Sequence, residues 1–289
     1  MSGIIPGKMG SILSITFFIL FLSLFATADE VAPPPELPCF NGVYYRKAVS
    51  SMDAWSGIEG VITLPMIQLD NSRIHHVKGR HLDNPSIYLG GNAQGKQEID
   101  AGLTWEIIRK PDGSVSKKAR AFRPFWRNEK WRNAPAKPEY YYYPGDKVRM
   151  SCRIAGQGKL KLEVALISRA GQKTQPSQPI SVFSTVFDAW AFGPGKKQQF
   201  KRVNAIDQVG NEGKDVQPTS ATVSCALWQE VWLLRGDERL PMNKDRFTDM
   251  RCPDAKYFYI VPLYNERNGA ELISISGKGF GSKVNPFEK

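Results

Sequence analysis

The chain has 289 residues, with 39 Lys and Arg against 28 Asp and Glu and a formal net charge of +11. Hydrophobic residues make up 42% and charged residues 23%, a composition that excludes a wholly disordered chain, a collagen-like repeat and a protein of many membrane spans. The 25 Gly and 20 Pro favour many turns over long helices.

In chain order, the first segment is a targeting signal. Lys8 gives a weakly basic start, Ile12–Phe25 is an apolar run, and Ala26-Thr27-Ala28 offers small residues to a cleaving peptidase. The run is shorter than the roughly 18–20 residues a transmembrane helix needs. Residues 1–28 are therefore read as a cleaved secretory signal, 29–40 as an extended proline-rich lead-in and 41–289 as a single domain. The protein is expected outside the cell, with no membrane span after cleavage.

Four cysteines in an oxidising compartment favour disulfides. Cys39 and Cys252 both sit beside proline in loop-like surroundings, and they are the predicted pair. Cys152 and Cys225 lie in strand-like runs with their side chains expected on the core face. Bonded to each other or left as two buried thiols are both open for them.

The dominant periodicity is two. Lys147–Ile154 and Lys159–Leu166 each alternate apolar and polar residues and flank Ala155-Gly156-Gln157-Gly158, which predicts a β-hairpin. Further strands are predicted over Val61–Gln68, Ser86–Leu89, Leu103–Arg109, Ser181–Phe187, Phe200–Ile206, Thr222–Leu234, Tyr257–Leu263 and Glu271–Ser276, with Lys214–Ser220 as a loop. No stretch keeps a helical stripe over three turns. Short strands separated by turns predict an all-β chain, an antiparallel sandwich or jelly roll.

Arg109–Lys137 is the most biased segment, with ten Lys and Arg against Asp112 and Glu129, interleaved with Phe122, Phe125, Trp126 and Trp131. Charge steers a polyanion and flat rings stack on it. In an exported protein that points to acidic polysaccharide or an anionic surface, with no nucleic acid as partner. Arg120, Arg123, Trp126 and Arg127 are the candidate contacts. The competing reading is a solvated strand face whose rings pack inward. His75, His76 and His81 lack carboxylates or thiols at ligand spacing, so no metal and no cofactor are expected. Asp100, Thr104 and Glu106 alternate onto one side of a strand, opposite Leu103, Trp105 and Ile107. Asp100 and Glu106 are thus the candidate carboxylates for hydrolytic chemistry.

Ile99–Glu106, Ala121–Trp126, Tyr143–Val148 and Phe200–Gln208 together resemble secreted YrpD-type proteins. More remotely the chain is similar to the glutamic peptidases, which are concanavalin-like jelly rolls. The resemblance implies two antiparallel sheets, one concave and bearing the site. It places the family's Gln position at Asp100 and its Glu position near Arg202, where a guanidinium cannot serve as acid or base. The implied polar concave face is Asp100, Thr104, Glu106, Arg202 and Asn204, with Trp126 as a stacking wall and Asp100–Arg202 as an ion pair. The function expected is a lectin-like, non-catalytic binding module for glycans or anionic extracellular surfaces. The alternative is a secreted hydrolase, peptidase-like or glycan-cleaving, that uses the concave-face carboxylates.

Overall fold

The computed structural model describes Gly3 and residues 33–281, apart from 77–78, 95, 110–113, 173–177 and 264–265. The segment predicted to be a secretory signal, residues 1–28, lies outside the described residues apart from Gly3. The chain from Val31 onward forms one compact unit.

Sixteen strands follow one another among the described residues. The first eight are β1 (Val43–Ser50), β2 (Gly57–Thr63), β3 (Met66–Gln68), β4 (Asp83–Ala93), β5 (Gln97–Arg109), β6 (Val115–Arg127), β7 (Trp131–Asn133) and β8 (Lys147–Gly156). Then come β9 (Lys159–Ser168), β10 (Ser181–Asp188), β11 (Gln199–Gln208), β12 (Thr222–Arg235), β13 (Glu238–Pro241), β14 (Phe247–Cys252), β15 (Phe258–Pro262) and β16 (Glu271–Ser276). Strand lies at every predicted position, but the strand predicted over Val61–Gln68 is broken at Leu64-Pro65 into the end of β2 and the separate β3. β1, β6, β7, β13 and β14 were not predicted, because β1 and β6 carry apolar and charged residues on both faces and the others are short.

Two antiparallel sheets form the sandwich. One has the order β14-β1-β11-β4-β5-β6-β7, and the other the order β10-β9-β8-β2-β12-β16-β15, with β3 and β13 added beside β12. Alternation explains what lies between them. Tyr44 and Ala48 of β1, Ile87 and Leu89 of β4, Ile99 and Leu103 of β5, and Phe200 and Ile206 of β11 meet Ile58, Ile62, Val148, Met150, Leu162, Val164 and Trp228 from the facing sheet. The predicted hairpin is β8–β9, turned through Gly156 and Gly158, whose positive φ values of 139° and 67° suit glycine.

Cys39 and Cys252 are bonded. The bridge ties the lead-in to the end of β14, beside β1. Cys152 and Cys225 are both free. Cys152 faces the core, where burial pushes its thiol up to about 12. Cys225, expected on the core face, is exposed instead. The pairing of β12 with β16 shifts register between Val223 and Ala226, and Cys225 adopts a φ of 62° at this bulge. The extra residue turns Cys225 outward while Val223 and Ala226 stay buried.

Candidate functional site

The seven-stranded sheet has a second face, away from the core. Val43, Tyr45 and Val49 of β1, Val203 and Ala205 of β11, Met250 and Cys252 form a small apolar cluster there, with Tyr88 of β4 packed against it. Beside this cluster opens a cavity of about 460 Å³, a size that suits a ligand site. Its floor is the sheet itself, from Tyr45 and Lys47 on β1 to Trp131 on β7. Gly102 of β5 keeps the floor recessed: a Cβ there would lie 2.5 Å from Tyr88 Cα.

The charged groups on this floor are bound to one another. Lys201 of β11 is buried, and its ammonium contacts Glu98 and lies 2.7 Å from Asp100 Oδ1. Arg127 of β6 takes the other oxygen, Asp100 Oδ2, at 2.9 Å and reaches Glu212, in the connection after β11, at 3.5 Å. Arg123 pairs with Glu106. The Lys201 charge brings Glu98 down to about 2, against the cost of its burial. Burial works against the charge of Lys201 as well, but Asp100 and Glu98 outweigh it and hold the ammonium above its ordinary range. Asp100 and Glu106, the two carboxylates singled out in the sequence, are thus held by cations.

Asp207, at the end of β11, is different. Burial lifts its carboxyl to about 6 despite a hydrogen bond of 2.5 Å donated by Ser86 Oγ, and the Asp100 charge adds to the rise. Tyr88 is raised well above its ordinary value by burial and then by Asp100 and Asp207. Its ring lies 5.8 Å from the Lys201 ammonium and meets Phe125 edge-on at 5.7 Å. At the β7 end, Trp131 stacks on Phe125 with centroids 4.2 Å apart and planes 6° from parallel. Phe125 is buried, whereas Trp131 is 45% exposed. Together they form a supported flat plate at the rim.

The structure brings Asp100, Thr104, Glu106 and Arg127 to this face, with Arg123 on Glu106. It puts Arg202, Asn204 and Trp126 elsewhere. Arg202 is 1% exposed between the sheets, where it pairs with Glu271 and donates to Gly269 O at 3.1 Å. Burial draws its guanidinium down to about 10. Asn204 Oδ1 accepts from the Trp228 indole at 3.0 Å inside the core. The ion pairs of Asp100 are with Lys201 and Arg127, and Arg202 takes no part in them. The outward set of β11 is Lys201, Val203, Ala205 and Asp207, which alternates with Arg202 and Asn204; Lys201 and Asp207 line the cavity, and Val203 and Ala205 belong to the apolar cluster beside it. Trp126 stacks on Phe183 and Phe187 of β10 at 6.1 and 6.3 Å between the layers, and the exposed indole that lines the cavity is that of Trp131. Arg120, opposite Ile107, falls on the other side of β6 from Arg123 and Arg127.

Sequence reasoning missed Tyr45, Lys47, Tyr88, Lys201 and Asp207. The usable signal was the second alternation set of β11, in which Lys201 and Asp207 share a side. The His75 and His76 rings stack on each other at 5.3 Å, and among the described residues no group of His, Cys, Asp or Glu is arranged to hold a metal.

No protein-family model and no curated protein sequence matches the chain. Solved structures do. Scytalido-glutamic peptidase with a peptide-based transition-state analogue superposes at a TM-score of 0.51 with 9% identity, over 81% of this chain and 98% of that one. The same peptidase with a transition-state analogue inhibitor gives 0.50 at 9% identity with the same coverage. SCP-B, a member of the eqolisin family of peptidases in complex with the tripeptide Ala-Ile-His, gives 0.46 at 10% identity, over 81% and 97%. At such identities the likeness is one of fold.

Proposed function

We propose that this is an exported binding protein whose groove on the seven-stranded sheet holds a segment of a saccharide chain. The observation that carries the reading is the Trp131–Phe125 plate at one end of a long charged floor. An exposed indole backed by a buried ring offers a rigid flat surface to a sugar ring. From β7 to β1 the floor crosses six neighbouring strands, so its ends lie on the order of 20 Å apart along the sheet. One sugar ring cannot touch both ends, whereas a chain of several can.

Two further points favour a saccharide. The floor is a sheet face, with its main-chain groups already paired in the ladders of β1, β11, β4, β5 and β6. An extended peptide therefore finds no strand edge there to extend except that of β7, which is three residues long. Fixed carboxylates and ammonium groups, in contrast, suit hydroxyls. Arg123 and Arg127 are neutralised by Glu106, Asp100 and Glu212, so attraction to polyanions in general is a small part of the binding. Export is supported by the Cys39–Cys252 bridge, since such bonds persist in oxidising compartments. No helix among the described residues is long and apolar enough to cross a membrane.

Titration calorimetry with oligosaccharides of one to six units tests the reading. Affinity should rise with length to about four units, and Trp131→Ala should weaken it about tenfold. Length-independent affinity, or an unchanged Trp131→Ala variant, would sink it.

A second reading, a hydrolase acting in mild acid, is favoured by one observation. Asp207 holds its proton up to about 6 near Asp100, which is paired with Lys201 and Arg127, an arrangement of two carboxyl groups in unlike surroundings that suits an acid and its stabilising neighbour. Incubation with denatured protein and mixed polysaccharides at acid to neutral pH tests it. Product that disappears in Asp207→Asn supports hydrolysis, and no product from any substrate removes it.

A further inference from the structure

The cations on the groove floor are not equivalent. Lys201, Arg127 and, beside them, Arg123 each have a carboxylate partner. Lys47 of β1 does not: among the described residues, no carboxylate lies within 4.0 Å of its ammonium, and unlike Arg80, the exposed cation that also lines the cavity, it is half-buried in the floor. The Tyr45 ring lies 5.6 Å from the ammonium. Burial lowers its proton affinity and the Lys201 charge lowers it further, while Glu98 and Asp100 pull the other way but are already bound to Lys201. A half-buried ammonium without a counter-ion costs stability, and it is relieved when an anion arrives.

Lys47 lines the same cavity as Trp131, at the opposite end of the floor. Resting on the saccharide reading above, we propose that the groove selects an acidic saccharide, one that carries a uronate carboxylate to the Lys47 ammonium while another ring of the chain lies on Trp131. The carboxylate supplies the partner that the protein withholds. Glu98 and Asp100 are both committed to Lys201, so an incoming carboxylate is the direct counter-ion of Lys47, and that contact fixes the register of the chain as well as its charge. The pair formed is charge-assisted.

The experiment is titration calorimetry at neutral pH with tetragalacturonate, with the same tetrasaccharide fully methyl-esterified, and with a tetrapeptide bearing a free C-terminal carboxylate. Wild type should bind the acid at least tenfold more tightly than the ester. Lys47→Met should lose at least tenfold for the acid and leave the ester unchanged, and Lys47→Arg should retain most of the preference. Lys47→Met should also melt at a higher temperature than wild type without ligand, which separates loss of a contact from loss of the fold. If the ester binds as tightly as the acid and Trp131→Ala still weakens both, the carboxylate inference fails and the saccharide groove stands. If neither saccharide binds, the groove reading fails and this inference falls with it. Tighter binding of the tetrapeptide than of either saccharide also overturns the proposal.

Discussion

The two faces of the seven-stranded sheet each carry a charged cluster, and β11 supplies a cation to both. On the inner face, Arg46 and Arg202 share Glu271, with Arg46 Nη1 and Nη2 at 2.5 and 3.1 Å from its two oxygens. Arg46 Nε adds Asp249 at 2.8 Å, and the two guanidinium groups lie 5.1 and 5.9 Å from the Phe247 ring. On the outer face, Lys201, Asp100, Arg127 and Glu98 form a comparable network. The inner cluster is roofed by the second sheet. The outer one borders a cavity and includes two groups left in unfavourable states, the Lys47 ammonium and the Asp207 carboxyl. A closed set of charges holds layers together. An open set that bears a cost in the unliganded protein is what a ligand can use.

The inner cluster should be the more sensitive to a single change. Glu271→Ala leaves Arg46 and Arg202 without their shared carboxylate and should cost about 3–5 kcal/mol of folding stability in urea titration. A loss below about 1 kcal/mol would mean that water or Asp249 replaces Glu271, and the two faces would not differ in kind.

Asp207→Asn should act in the opposite direction. The folded carboxyl titrates at about 6, above its ordinary value of 3.8. Its ionised form therefore weakens the fold above about pH 6, the penalty fades as pH falls toward 3.8, and it is absent below. The charged groups that act on it are Asp100, Arg127 and Glu212, with Ser86 donating to it. The variant should be more stable than wild type at pH 7, by on the order of 2 kcal/mol because the carboxyl is partly exposed, and equal to it near pH 3.5. A difference that does not change with pH would contradict the assignment. The same protonation removes a negative charge from the groove, so tetragalacturonate should bind more tightly at pH 5 than at pH 7.

The smallest effect belongs to Glu212→Ala. Its side chain is 68% exposed, and its contact with Arg127 is 3.5 Å long. A loss of at most about 0.5 kcal/mol is expected, and it should vanish in high salt. A larger loss would make Glu212 part of the groove's frame and not an exposed rim contact.

How much of this was legible in the sequence follows from where alternation has a clear sign. β8 and β9 each have one apolar and one polar side, and the hairpin was readable from that. The face shared by Asp100, Thr104 and Glu106 was readable for the same reason. β11 defeats the rule. One side carries Phe200, Arg202, Asn204 and Ile206, the other Lys201, Val203, Ala205 and Asp207, so both mix apolar and charged groups. The family resemblance put Arg202 and Asn204 on the concave face, and the alternation of β11 offered no clear sign to correct it. Cys225 was missed because a bulge changes phase within β12, which periodicity cannot foresee. Of the basic-aromatic segment, the rings of Phe125 and Trp131 reached the groove, whereas Trp126, one residue further along β6 than Phe125, went between the sheets.

The seven tryptophans offer the most direct test, because each indole N–H gives its own NMR signal. Titration with tetragalacturonate should move the Trp131 resonance, at the groove rim, and leave those of Trp228 in the core and of exposed Trp190, which does not line the groove. Movement of Trp190 with Trp131 unchanged would place the ligand elsewhere on the protein and contradict the account.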